Sequence, residues 1–339
     1  MNRRLSRLSR MAGVVSLVFA VLGGYASGLQ AQTTLRFSTH VNEQDFRYQA
    51  WLEYKKLVER GTQGRVKVDI FPSSTLHPFA KAIDALNGGV ADIGTLAGAA
   101  IDDRMPCTQL THFMPAYIST AKVYELHDAY NALMKDEFDK LALEILFSFD
   151  FGYDQEWFFR KPVKSLDQLD GTIVRSVGAI TTHMIDAFGG KPVFVAPAET
   201  YQAAERGVVD GLNMGVATVT SWKMWEVMPY MIRSKMHYAN IIYAAPKKKI
   251  ASLSSADQKV VRTAGAEMLK WAQPRYEAWI QQQIGEAVMK YNVNIQNLTK
   301  AEIQKVVDKA RVGWMPKIEK ACGPAKTKKL LDLFRSYGG

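Results

Sequence analysis

Two kinds of hydrophobic pattern alternate along this chain, and that alternation restricts the fold more than any other feature. Thr34-Leu35-Arg36-Phe37-Ser38 and Gly64-Arg65-Val66-Lys67-Val68-Asp69-Ile70-Phe71 alternate polar with apolar side chains, the period of a half-buried strand. Between them, Phe46, Trp51, Tyr54 and Leu57 recur at helical spacing within residues 45–59. Pro72-Ser73-Ser74 ends the second strand, Lys81 to Leu86 reads as a short helix stopped by Gly88-Gly89, and Val90-Ala91-Asp92-Ile93-Gly94 begins another strand. Strands separated by helices predict an α/β architecture with mixed, mostly parallel sheets, because parallel neighbours need a crossover and a helix supplies it.

The same grammar continues. Asp167-Gln168-Leu169-Asp170-Gly171 makes a turn into Thr172-Ile173-Val174-Arg175-Ser176, a short β-branched run. A helix from about Thr181 to Phe188 meets Gly189-Gly190, which suits a C-cap. Lys191 to Val195 is a strand, and Pro197-Ala198-Glu199 opens a helix with proline early and an acid in its first turn. Ser254-x-x-Asp257 and Thr299-x-x-Glu302 have the form of capping boxes. Val260 to Tyr291 reads as one long helix, with a kink or break expected at Pro274. Lys247-Lys248-Lys249, the one tight basic run, reads as a solvated turn after Pro246.

Residues 1–31 stand apart. Arg3, Arg4, Arg7 and Arg10 precede an apolar stretch from Met11 to Leu22, then the small residues Ala26, Ser27, Gly28 and Ala31. That is the layout of a secretory signal peptide, with cleavage expected after Ala31. The apolar core is short for a membrane span of about 20 residues. Removing four arginines leaves 39 basic against 33 acidic residues, a net of +6. The surplus is dispersed, with no aromatic-interleaved basic patch, so nucleic acid is not an expected partner. Cys107 and Cys322 both follow the signal; an oxidising compartment permits a disulfide, and two buried free thiols are the alternative.

A set of ordered blocks carries a more specific message. Arg175-Ser176 is followed by Gly189-Gly190-Lys191-Pro192-Val193, then Glu199-Thr200-Tyr201, then Gly207-Val208-Val209-Asp210-Gly211 and Glu226-Val227. Upstream lie Phe71-Pro72-Ser73-Ser74-Thr75-Leu76 and Ala85-Leu86-Asn87-Gly88-Gly89-Val90-Ala91-Asp92-Ile93. Together these resemble the solute-binding subunits of TRAP transporters, the DctP-like family, from about Leu35 to the helical C-terminus. The resemblance implies a two-lobed periplasmic binding protein of the Venus-flytrap kind, with hinge crossovers and a long helix spanning both lobes. The lobes are expected over 32–152 plus 240–280 and over 153–239 plus 281–339 with the C-terminal helices. It also implies a periplasmic, monomeric receptor that closes on a small organic carboxylate and docks on the membrane permease subunits, with no cofactor.

By the same resemblance, Arg175 is the carboxylate clamp, a role that suits a permanently charged guanidinium with two parallel N–H donors. Sialic-acid-binding members carry a second arginine twenty residues earlier; here that position is Gln155. Where they have Gln-Glu-Asn after the Asp-Gly turn, this chain has Leu212-Asn213-Met214. Acidic first-lobe contacts of those relatives fall on Phe79 and Ala97, and the start of the aligned region puts His40 in the cleft. Tyr153 and Trp222 are candidate aromatic contacts, whereas Trp157-Phe158-Phe159 reads as strand core and Glu199 and Tyr201 as structural. One arginine among apolar walls favours a relatively apolar monocarboxylate. A sugar acid or dicarboxylate would leave polar groups unpaired at about 1–3 kcal/mol each.

Enzymatic readings lack their constellations. There is no Gly-x-Ser-x-Gly, His-Glu-x-x-His, Cys-x-x-Cys or Walker A sequence, and the six histidines show no metal-ligand spacing. Asp150, Asp154 and Glu156 could be a glycosidase-like carboxylate group, but acids at a lobe crossover explain them more simply. A ligand-sensing subunit reporting to a membrane sensor, and a periplasmic lyase or hydrolase, are the competing functions.

Overall fold

The computed structural model describes residues 32–113, 120–149, 155–167, 169–234 and 240–337. The expected signal peptide and Tyr153 lie outside the described residues. Strands are numbered in chain order. The first sheet holds β1 (Thr33–Ser38), β2 (Val66–Phe71), β3 (Ile93–Ala97), β4 (Leu143–Ser148) and β10 (Ile241–Pro246), in the order β2-β1-β3-β10-β4. The second holds β5 (Gln155–Phe159), β6 (Ile173–Ser176), β7 (Lys191–Phe194), β8 (Gly211–Gly215), β9 (Tyr230–Arg233) and β11 (Asn294–Asn297), in the order β11-β9-β5-β8-β6-β7. Parallel pairing dominates at β2-β1-β3 and β7-β6-β8, while β10 and β5 run antiparallel to both their neighbours. Those two antiparallel strands are where the chain enters a lobe from the other one. The result is the two-lobed α/β fold with mixed sheets.

The helices, also in chain order, are α1 (Phe46–Gly61), α2 (Ala82–Asn87), α3 (Gly98–Ile101), α4 (Thr120–Lys140), α5 (Ala179–Ala187), α6 (Thr200–Glu205), α7 (Val216–Ser221), α8 (Lys247–Ala251), α9 (Ser255–Tyr291), α10 (Lys300–Cys322) and α11 (Pro324–Ser336). Their ends follow the local chemistry. Asp45 caps α1 by accepting from the Arg47 N–H at 2.9 Å. Thr299 and Glu302 form a reciprocal capping box at α10. α5 ends before Gly189, whose φ of 86° is left-handed backbone that favours glycine.

α9 has 37 residues, about 55 Å of helix at 1.5 Å per residue. It lies along α1 of the first lobe and also touches α7 of the second. The Tyr54 hydroxyl donates to the Val261 carbonyl at 3.0 Å and fixes the α1–α9 contact. The helix continues through Pro274, so the break that was one of the two expectations there does not occur. Beside it, Arg275 Nη1 donates to the Trp271 carbonyl at 2.7 Å, and its guanidinium lies 4.8 Å from the Trp271 ring centre. The lysine run is also corrected. Lys247–Lys249 begins α8 instead of forming a solvated turn, because Lys247 meets Asp139 at 2.6 Å and Lys249 meets the buried Asp92 at 3.3 Å.

Between the sheets the chain crosses after Phe149 and returns before Asn240. Polar contacts tie the roots of both crossings. On the first-sheet side Asn131 donates to Ser148 at 2.7 Å and accepts from Asn240 at 3.1 Å. On the second-sheet side the fully buried Glu156 accepts from the Ser234 N–H at 2.6 Å. Apolar packing continues across the lobes: Phe37, Trp51 and Tyr243 share one cluster with Phe158, Met214 and Trp225. Cys107 and Cys322 form a disulfide that joins the turn before α4 to the end of α10. Among the described residues no helix is long and apolar enough to cross a membrane.

Candidate ligand-binding site

The two sheets present their strand ends to one another across a cleft. From the second lobe come the C-terminal ends of β6 and β8, carrying Arg175, Asn213 and Met214, and the N-terminal end of the antiparallel β5, carrying Gln155. Arg175 pairs with Leu212 in the parallel β6–β8 ladder, and Gln155 pairs with Gly215 across β5–β8. From the first lobe come Ala97 at the end of β3, His40 after β1, and Phe79 in the connection after β2. Ligand sites of α/β sheets collect at such strand ends because the connecting loops diverge there and leave a crevice.

These residues line a small inner cavity of about 110 Å³. Eight of the nine candidate positions border it: His40, Phe79, Ala97, Gln155, Arg175, Asn213, Met214 and Trp222. Thr111, Thr181, Thr218 and Asn240 also border it and were not among the candidates. Thr181 could have been found by carrying the chain one turn past Arg175; Thr111 and Asn240 carry no sequence signal, since only the tertiary fold brings them in. A wider outer cavity of about 540 Å³ adjoins the first. His40, Phe79, Pro197 and Trp222 line both, so they form the neck between the inner chamber and solvent.

Arg175 dominates the electrostatics. It is 5% exposed, its Nε donates to the Val195 carbonyl at 3.1 Å, and no acidic side chain bridges it among the described residues. Burial alone pulls its pKa down from the usual arginine range to about 9, which leaves it charged at neutral pH. A buried cation without a counter-ion is costly, of the order of several kcal/mol after relaxation. It is the one charged side chain lining the inner cavity among the described residues. Nearby, burial first and then the charges of Arg47 and Arg175 push His40 down to about 3, so its imidazole is neutral. Its ring lies 4.7 Å from that of Phe79. Asn213 is held by donating to the Glu156 carbonyl at 3.1 Å.

Other residues fall outside this chamber. Trp157, Phe158 and Phe159 are fully buried strand core, and Tyr201 donates to Glu226 at 2.9 Å. Among the described residues no group of three or more His, Cys, Asp or Glu side chains is placed to hold a metal ion.

Comparison with known proteins matches this architecture. The family model for bacterial extracellular solute-binding protein, family 7 (DctP) matches residues 37–320. The 2,3-diketo-L-gulonate-binding periplasmic protein YiaO of Escherichia coli is 23% identical over 254 residues, 74% of this chain and 77% of that protein. A Bordetella pertussis extracytoplasmic solute receptor, DctP7, described as binding pyroglutamic acid, superimposes with a TM-score of 0.82 at 20% identity, over 89% of this chain and 99% of its own. A TRAP periplasmic solute-binding protein of Desulfovibrio salexigens with bound orotic acid gives 0.83 at 21% identity, over 90% and 98%. The chain therefore belongs to the DctP family of bacterial extracellular solute-binding proteins, the solute-binding subunits of TRAP transporters.

Proposed function

We propose that this protein is a periplasmic receptor that binds a small, relatively apolar monocarboxylate through Arg175 and delivers it to a TRAP permease. One observation carries the reading: a buried guanidinium, with one N–H engaged by a carbonyl and no acid bridging it among the described residues, borders the inner chamber between the lobes. An incoming carboxylate supplies the missing counter-charge and can accept two parallel N–H bonds. That gain is available only to an anion, so the site discriminates against neutral analogues.

The chamber's other walls narrow the ligand class. Phe79, Ala97, Met214 and Trp222 offer apolar surface, while Gln155, Asn213 and Asn240 offer uncharged amides for one or two further polar atoms. A second carboxylate would find no second cation among the described lining residues, since His40 is neutral and Gln155 stands where an arginine would be needed. Burying an unpaired charge there is prohibitive. Pyroglutamate and orotate, the acids named for two proteins of this fold, are compact cyclic monocarboxylates with amide-like polar groups, while others of the same fold are named with succinate or galactonate. Lobe closure on the ligand would make the shape recognised by the permease, and no chemistry on the ligand is needed for that role.

Isothermal titration tests the reading with pyroglutamate, 2-oxoisovalerate and phenylacetate against succinate and sialic acid. The proposal expects a monocarboxylate to bind most tightly and Arg175→Ala to abolish its heat. Preference for succinate or sialic acid would overturn the ligand class. Undiminished binding to Arg175→Ala would overturn the clamp.

A further inference from the structure

Arg175 is followed by Ser176, Val177 and Gly178, and then α5 begins. Val177 and Thr181 from this junction border the inner cavity. The junction is internally braced, with the Val177 N–H donating to Thr181 Oγ1 at 2.9 Å. Yet α5 lacks a side-chain cap of its own, because its N-cap residue is Gly178. The missing acceptor comes from the other lobe. Asp102, at the end of α3, accepts from the Ile180 N–H at 2.9 Å and also from the Ala179 N–H.

Gly178 explains how the two lobes come so close. A Cβ there would lie 1.8 Å from the Ala99 carbonyl oxygen of α3 and 3.2 Å from Asp102 Oδ2. Its backbone, at φ 172° and ψ −177°, is extended and does not itself demand glycine. The constraint is therefore the approach of first-lobe backbone. Asp102 is 6% exposed, and Ala99 borders the same cavity as Val177.

We infer that Asp102 is a positioning residue of the binding site, a latch that caps α5 across the cleft and holds the Arg175 junction against the first lobe only when the lobes are closed. Resting on the proposed carboxylate-receptor reading, it adds a residue that touches no ligand but sets its residence time. In the open form the N–H groups of Ala179 and Ile180 find water, so losing Asp102 costs little there. In the closed form they would be buried without an acceptor. Burial also pushes the Asp102 carboxyl up to about 6, as expected for an acid enclosed by the interface.

The test compares wild type with Asp102→Ala, Asp102→Asn, Gly178→Ala and Arg175→Ala. The probe is an equimolar mixture of pyroglutamate, 2-oxoisovalerate, phenylacetate and succinate. Small-angle scattering reads the contraction on adding it, and thermal melting and stopped-flow displacement read apparent affinity and release. The latch predicts that Asp102→Ala and Gly178→Ala melt like wild type without ligand. Both would contract less and release ligand at least tenfold faster. Asp102→Asn, which keeps one acceptor oxygen and carries no charge, should release ligand no faster than wild type. Gly178→Ala separates the latch from a general role of Asp102 in folding, because its added methyl clashes only in the closed form. Normal contraction and release by Gly178→Ala would overturn the latch, as would an Asp102→Ala variant with a lower melting temperature and unchanged release. In either case, loss of the response in Arg175→Ala alone would leave the clamp standing. A wild type that responds to none of the four acids would remove the receptor reading and the latch with it.

Discussion

Replacing Arg175 by methionine should make the empty protein more stable while destroying its function. Arg175 is 5% exposed and makes one hydrogen bond among the described residues, from Nε to the Val195 carbonyl. Burial pulls its pKa down from the usual arginine range to about 9, and at about 1.4 kcal/mol per pKa unit that gives a desolvation cost on the order of 5 kcal/mol, an upper bound. The sign follows from linkage. A cation whose pKa falls on folding is disfavoured in the native state at every pH below that value, so removing it relieves the cost at pH 7. Methionine forfeits the hydrogen bond to Val195, worth about 1 kcal/mol, and fills much of the same volume. A net gain of roughly 1–3 kcal/mol corresponds to a melting temperature about 2–6 °C higher for a chain of this size. Ligand affinity should fall by two orders of magnitude or more, because removing one partner of a buried charge pair costs about 2–5 kcal/mol. Differential scanning calorimetry of ligand-free wild type and Arg175→Met, followed by titration of each, reads both effects. A variant several degrees less stable than wild type would refute the reasoning, since it would mean that Arg175 already has its charge satisfied within the protein.

Three further outcomes follow from the same geometry. Gln155→Arg should place a second cation in the inner chamber and raise succinate affinity at least tenfold relative to a monocarboxylate, by titration; an unchanged ratio would mean that Gln155 does not face the ligand's distal end. Double replacement of Cys107 and Cys322 by serine opens a loop spanning 215 positions and should cost about 2–5 kcal/mol of stability by denaturant unfolding while leaving ligand affinity unaltered. Affinity for an acid that stays ionised should rise roughly fourfold between pH 7.5 and 5.5, because burial, helped by the neighbouring charge of Asp103, raises the Asp102 carboxyl to about 6 in the closed form against 3.8 when solvated. The charge-burial cost of closure is present above about pH 6 and lifts below it. Asp102→Asn should flatten that profile, and His40, neutral down to about pH 3, should contribute nothing to it.

The parts of the fold legible in the sequence are those decided locally. Period-two runs became β1 and β2 because one face of each is buried, and Gly189 ends α5 because the chain needs left-handed backbone there. The Thr299–Glu302 capping box formed as its four-residue pattern requires. Tertiary context decided the rest. A lysine triplet looks like a solvated turn until Asp92 and Asp139, from distant segments, neutralise it and let it coil into α8. Pro274 fails to end α9 because long contacts with α1 and α7 hold the helix on both sides and Arg275 occupies a nearby carbonyl.

The site shows the same division. Arg175, Asn213 and Met214 were readable because they sit inside ordered blocks at fixed spacing, and they do border one cavity with Gln155 from the neighbouring strand. Thr111 and Asn240 were not readable, since each lies in an unremarkable stretch and reaches the cavity only through the way the first lobe folds. Asp102 was invisible for a further reason. Its partners are backbone N–H groups 77 and 78 residues away, and backbone groups leave no trace in a sequence. Even Gly178, beside the recognised Arg175, passes for an ordinary loop glycine until Ala99 is seen against it.

A crystal structure of the ligand-loaded mature protein tests the central claim most directly. The account predicts one small acid in the inner chamber, with its two carboxylate oxygens about 2.7–2.9 Å from the two terminal nitrogens of Arg175. Its remaining atoms should lie against Phe79, Ala97, Met214 and Trp222. A ligand whose carboxylate sits elsewhere, with Arg175 turned onto a protein acceptor, would contradict it.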